Sequence, residues 1–192
     1  MVVIGLRAAR VDQNSIPQEK NNVNRTVIID VETTGLSVKR GGRVIEVGAV
    51  EVVGNSIVAE FDTLIDTGAE ISYGAYLVHG ISQEMLCGKP QPEEVWKRFL
   101  EFAGDAQMVA HNAPFDSSFV RHEVALLGDT IPNSWHCTVR LARRCLPHLA
   151  NHKLDTVYRY LFGSLPESVQ RHRALDDARL AARIWVKLME LN

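Results

Sequence analysis

Apolar residues are spaced in two different ways along this chain. Between residues 26 and 65 they come in short β-branched runs, TVIIDVE at 26–32, RVIEVGAVEVV at 43–53 and SIVAEFDTLI at 56–65. Runs of this composition suit strands in a sheet interior. The second and third are joined by Gly54-Asn55, a two-residue connection that fits a β-hairpin. The sheet is therefore predicted to open with three antiparallel strands. The first of them ends at the turn Thr33-Thr34-Gly35.

From residue 91 the spacing becomes helical. Gln91-Pro92-Glu93-Glu94 puts a proline and two acids where a helix begins, and Val95, Trp96, Phe99, Leu100 and Phe102 supply its apolar face. A strand at 107–112, a helix over 114–127 closed by Gly128, and a strand at 135–139 follow. A helix over 154–162 stops at Gly163, and a last one covers 174–191 with Leu175, Ala178, Ala182, Trp185 and Met189 on one side. This order predicts an α/β fold, a five-stranded mixed sheet flanked by helices. Residues 11–25 are polar and rich in Asn and Gln. Residues 1–25 are accordingly expected to be a disordered tail, with the folded domain at 26–192.

Composition narrows the class only slightly. At 192 residues, with 46% hydrophobic and 23% charged residues, the chain fits one globular domain and excludes a disordered or coiled-coil protein. A net charge of -2 excludes a general electrostatic trap for nucleic acid, while leaving room for local basic patches. Cys87, Cys137 and Cys145 lack Cys-x-x-Cys spacing. They are expected to be small buried hydrophobes in a reducing compartment. Val2–Leu6 is too short for a secretory core and no run could span a membrane, so a cytoplasmic location is expected.

Candidate chemistry lies in three distant segments. Asp30-Val31-Glu32 closes the first strand, where residues two apart share a face. Two carboxylates so placed repel unless a cation lies between them, and oxygen ligands suit Mg²⁺ or Mn²⁺ better than zinc. Asp116, in HNAPFD, falls in the first turn of a helix. His172 precedes the last helix and Asp177 lies one turn inside it, whereas Asp176 points about 100° away. Each segment alone has an ordinary explanation: a turn cap, a helix-dipole partner, a surface histidine.

Together the segments read Asp-x-Glu on a strand, Asn-x-x-x-Asp at a helix start, and His-x-x-x-x-Asp late in the chain. This order resembles the DEDDh exonucleases, and within them the DnaQ-like proofreading type. Glu32-Thr33-Thr34-Gly35, His79-Gly80-Ile81-Ser82 and Leu154-Asp155-Thr156 extend the resemblance over about residues 26–189. His172-x-Ala174 separates it from the sister subfamily, which carries a tyrosine there. The resemblance implies a ribonuclease H-like fold and a 3′→5′ exonuclease using two divalent cations, Mg²⁺ or Mn²⁺. It implies Asp30, Glu32, Asp116 and Asp177 as metal ligands, with His172 as general base. Thr33, Thr34, Gly35, Leu36, His79, Asn112 and Phe115 are the implied substrate contacts.

The expected substrate is a single-stranded or frayed 3′ end of DNA, acted on in proofreading, repair or end trimming, CRISPR prespacers included. RNA 3′-end trimming is the first alternative. The second is an interaction subunit in a DNA polymerase or another nucleic-acid-processing complex. Because the sequence stops at Asn192 with no polymerase-binding tail, the expectation leans to a stand-alone enzyme.

Overall fold

The computed structural model describes residues 25–192. The expected tail therefore lies outside the described residues, except for Arg25, which already belongs to the first strand. β1 (Arg25–Thr33), β2 (Val44–Val53) and β3 (Ser56–Leu64) form an antiparallel meander. β4 (Gln107–Ala110) and β5 (Trp135–Cys137) add in parallel, giving the order β3-β2-β1-β4-β5. The expected five-stranded mixed sheet is present, with its hairpin at Gly54-Asn55.

Period-two alternation divides the core between the two faces of the sheet. Val27, Ile29 and Val31 of β1 face α3 (Pro92–Ala103) and α4 (Ala113–Leu126), packing with Trp96, Phe99 and Phe119. Ile28 points the other way, toward α5 (Thr138–Cys145), α6 (Leu154–Phe162) and α7 (Ala174–Leu191). Asp30 and Glu32 share the parity of Ile28, so the acids of β1 belong to the α7 face.

Two buried glutamates fasten the elements that carry the candidate site. Glu123 of α4 accepts from Arg43 Nε and Nη2, each at 2.8 Å, and from the Val44 amide at 3.0 Å. Glu46 of β2 does the same for the start of α7, through Arg173 and the Ala174 amide. Buried carboxylates are costly unless charge and hydrogen bonds compensate them, and both are compensated.

Several sequence expectations need correction. α1 (Tyr73–His79) and α2 (Gln83–Leu86) were not anticipated. Tyr73, Tyr76, Leu77 and Val78 of α1 are exposed, so this helix has no buried apolar stripe to announce it. β4 ends at Ala110 and β5 at Cys137, each short of the expected end. At Thr138 the chain turns into α5, and its hydroxyl pairs with His111 Nδ1 at 2.8 Å. On α7 the buried stripe includes Ala178, Ala182 and Trp185, while Met189 is exposed. Cys87 is exposed and Cys137 and Cys145 are half-buried, so none is the buried hydrophobe expected, and none forms a disulfide. Among the described residues no helix is long and apolar enough to cross a membrane.

Candidate active site

β1 delivers two acids to one place because its pleat puts Asp30 and Glu32 on the same side. Its ladder with β2 runs regularly to Glu32 and shifts at Thr33, so the strand ends just beyond the pair. Asp116 arrives from α4. Asn112, with φ 77, turns the chain sharply out of β4, and Pro114 sits in the helix's first turn. A left-handed conformation is tolerated by Asn better than by most residues. Asn112 is the capping residue by position, but its side chain makes no capping bond and is exposed at the rim. Asp116 is buried, and the amide of Val31, between Asp30 and Glu32, favours its charged form.

α7 supplies the remaining pair. Asp177 is buried in its first turn, and its carboxylate accepts from the His172 amide at 3.3 Å. His172 lies just before the helix with φ 61, its ring exposed. Glu32, His172 and Asp177 each offer one ligating atom, and these atoms lie within 4.8 Å of one another. Asp176 points elsewhere, pairing with Arg179 at 2.9 Å and accepting from the Gln170 amide at 2.8 Å. The segments 30–32, 116 and 172–177 thus meet at one end of the sheet.

The electrostatics of this cluster are unusual. Burial, then the charges of Asp116 and Glu32, holds the Asp30 carboxyl well above the usual carboxylate range. Burial also raises Asp116, against the opposing pull of its own amide and that of Val31. Glu32 is pushed up to about 7, by burial first and then by Glu46 and Asp116. His172 is pushed down by burial and by Arg171, so it remains neutral at neutral pH. Carboxylates crowded against their own repulsion become favourable when a hard divalent cation joins their oxygens. Asp30, Glu32, Asp116 and Asp177 form an oxygen-rich donor set without thiolate, which fits Mg²⁺ or Mn²⁺.

A cavity of about 390 Å³ opens beside Glu32, with Val31, Leu36, Val78 and Phe115 among its lining residues. Thr33, Gly35 and His79 also border it. Leu36 projects into solvent at 89% exposure. Thr34 lies outside the lining; its amide and hydroxyl hold Arg43 at 2.9 and 3.0 Å, shaping the turn. Thr33 Oγ1 donates to the Gly35 carbonyl at 2.8 Å. His79 Nδ1 accepts from the Ile81 amide at 2.9 Å, which leaves Nε2 to donate to the Thr33 carbonyl at 3.3 Å. Its two nitrogens are therefore committed to backbone, and it borders the cavity mainly as a wall.

The structure adds two participants, of which sequence reasoning missed Glu46. Arg171 bonds to both Asp177 and Asp155, tying α6 to the cluster as its nearest cation. Glu46 stands in register with Glu32 on the neighbouring strand. An acid inside the apolar run VIEVGAV was the available signal, since buried Glu demands a partner.

Comparison with known proteins agrees with this geometry. The profile of the RNase T exonuclease family matches residues 27–185. A PolC-type DNA polymerase III of Caldanaerobacter subterraneus subsp. tengcongensis is 37% identical over 194 residues. That match covers 98% of this chain and 14% of the relative, so the chain spans a small part of the PolC-type proteins it matches. A DNA polymerase III subunit epsilon of Rickettsia conorii is 37% identical over 172 residues, covering 86% of this chain and 74% of the relative. Among solved structures, Exonuclease X in complex with 5′ overhanging duplex DNA superposes with a TM-score of 0.72 at 30% identity, covering 86% of this chain and 91% of that one. The nuclease domain of 3′hExo, a DEDDh family member bound to rAMP, shares the fold with a TM-score of 0.74 at 18% identity, covering 88% and 94%. The fold is ribonuclease H-like, and the chain belongs to the DnaQ-like exonuclease family that includes the epsilon subunits of DNA polymerase III.

Proposed function

We propose that this chain is a 3′→5′ exonuclease of the DEDDh type, acting on single-stranded or frayed 3′ ends of DNA. The observation that carries the reading is the convergence of Glu32, His172 and Asp177 within 4.8 Å, bordered by Asp30 and Asp116. Asp30, Glu32, Asp116 and Asp177 would hold two divalent cations, Mg²⁺ or Mn²⁺. When bound, such ions supply positive charge to the phosphate oxygens and acidify a water molecule. His172, neutral and exposed at the edge of the cluster, accepts the proton of the attacking water on a ring nitrogen. The Asp177 carboxylate holds the backbone of that histidine.

The cavity beside Glu32 takes the terminal nucleoside. Leu36 and Phe115 offer apolar surface to its base, and Asn112 offers an exposed amide at the rim. Thr33, Gly35 and His79 shape the wall, and Thr34 fixes the turn from behind. Similarity to the PolC-type and epsilon proteins supports a role beside a DNA polymerase or another nucleic-acid-processing complex. Its place is the cytoplasm, a reading that the three unpaired cysteines support.

The test uses 5′-labelled single-stranded DNA and RNA of matching sequence with Mg²⁺ or Mn²⁺, and Asp30→Ala as control. Stepwise shortening of the DNA by the parent alone is the expected result. Preference for RNA would replace the substrate assignment. No hydrolysis of either, with metal bound, would leave an interaction module in place of an enzyme.

A further inference from the structure

We infer that Glu46 and Arg173 form a positioning device for His172, setting the general base rather than binding substrate or metal. The inference rests on the proposed role of His172 as base. His172 belongs to a three-residue bend, Arg171-His172-Arg173, that enters α7 through a left-handed residue. A non-glycine residue holds such a conformation only when its neighbours are fixed. Both neighbours are. Arg171 bonds to Asp155 and Asp177 on one side. On the other, Arg173 Nε and Nη2 donate to Glu46 Oε1 at 2.9 and 2.6 Å, and the Ala174 amide donates to Oε2 at 3.0 Å.

Glu46 suits this task by its placement. It is 1% exposed, near the start of β2, with buried residues on either side of it from Val44 to Val50. A carboxylate there has little freedom, and a two-nitrogen grip by guanidinium fixes angle as well as distance. Its strand is in register with β1 at Glu32, so the bend is referenced to the same ladder that carries the metal-binding acids. The histidine and the carboxylates are thereby held in one frame.

The experiment is a double-mutant cycle under single-turnover conditions with Mn²⁺ and single-stranded DNA. Glu46→Gln should slow cleavage at saturating Mn²⁺ on the order of 10- to 100-fold, as displacement of a catalytic group does, with DNA affinity unchanged within about twofold. In a His172→Ala background the same substitution should cost less than about twofold, because the group it positions is already gone. Arg173→Lys keeps the buried carboxylate paired but loses the two-nitrogen grip, and should show a smaller loss in the cleavage rate alone. Equal losses in both backgrounds would overturn the inference. So would weakened DNA binding in place of slowed cleavage, or no loss in either variant. A His172→Ala protein as fast as the parent would remove the base assignment itself, and this inference with it; that outcome is read with Glu46 untouched.

Discussion

Glu32 and Glu46 stand directly opposite each other across the β1–β2 ladder, and of the two only Glu46 has an ion-pair partner among the described residues. Like charges facing across an antiparallel pair are destabilising. The fold neutralises Glu46 with Arg173 and leaves Glu32 raised to about 7. Glu32 is thus a strained acid whose relief is a bound cation. Metal-free Glu32→Gln should therefore melt higher than the metal-free parent at pH 8, by about 1–2 kcal/mol or several degrees. Mn²⁺ should stabilise the parent far more than the variant, and exonuclease activity should fall by at least about a hundredfold. Thermal melts in EDTA and in Mn²⁺ decide it; a variant that melts below the parent in EDTA would refute the strain.

Leu36 allows the substrate path to be tested without disturbing the core. It lines the cavity beside Glu32 yet is 89% exposed. Leu36→Ala should leave stability within about 0.5 kcal/mol of the parent, as surface changes do. If the exposed side chain packs on a base, KM for single-stranded DNA should rise roughly three- to tenfold with kcat little changed. Phe115→Ala should raise KM at least as much, with some loss of stability because its ring packs 4.9 Å from that of Phe119. An unchanged KM for Leu36→Ala would take the turn out of the substrate path.

Asp30 and Glu32 were legible because strand geometry has a period of two, which turns spacing directly into direction. α6 and α7 were bounded to the residue by Gly163 and by the run from Ala174. His172 carried only a weak local signal, since a histidine before a helix is ordinarily a surface residue and its meaning depends on acids contributed by β1 and α7. Glu46 was marked as odd by its apolar surroundings, but nothing local identifies a partner 127 positions away. α1 escaped for the opposite reason: its apolar residues face solvent, so burial-based periodicity had nothing to detect.

His111 predicts a pH dependence that has nothing to do with catalysis. Its ring bridges Thr138 Oγ1 at 2.8 Å and the His152 carbonyl at 3.0 Å, and burial pushes its pKa down to about 4. The folded chain keeps it neutral, whereas the unfolded chain protonates it below about 6.5. Its contribution to stability is full above that value and is lost as pH falls toward 4, by roughly 3 kcal/mol at most. Glu32, Asp116 and Asp30 are all raised and act in the opposite sense, so the pH profile of the parent alone does not report the histidine. The contrast with His111→Gln isolates the histidine. In EDTA, denaturant melts at pH 8 and pH 5 should show the stability gap between parent and variant narrowing by about 2 kcal/mol on acidification. A gap independent of pH would mean that His111 is not held neutral.

Gly48 ties strand packing to the spacing of the active acids. It pairs with Asp30 on β1, and α7 crosses so close that a Cβ at this position would lie 2.0 Å from the Leu175 amide nitrogen and 2.2 Å from the Ala174 carbonyl carbon. Those are backbone atoms of the first helical turn, unable to yield as a side-chain tip would. Glycine is needed here for close approach. Gly48→Ala must push the start of α7 off the sheet, carrying His172 and Asp177 away from Asp30 and Glu32. The expected cost is at least about 2 kcal/mol, in the range of overpacked cores. Well below its melting temperature the variant should still bind Mn²⁺ more weakly than the parent and cleave more slowly, because the ligands from β1 and α7 no longer meet at their original distance. Titration calorimetry with Mn²⁺ and a single-turnover assay at low temperature separate this from simple unfolding. A folded Gly48→Ala protein with parental Mn²⁺ affinity would show that the spacing between β1 and α7 is not set at this contact.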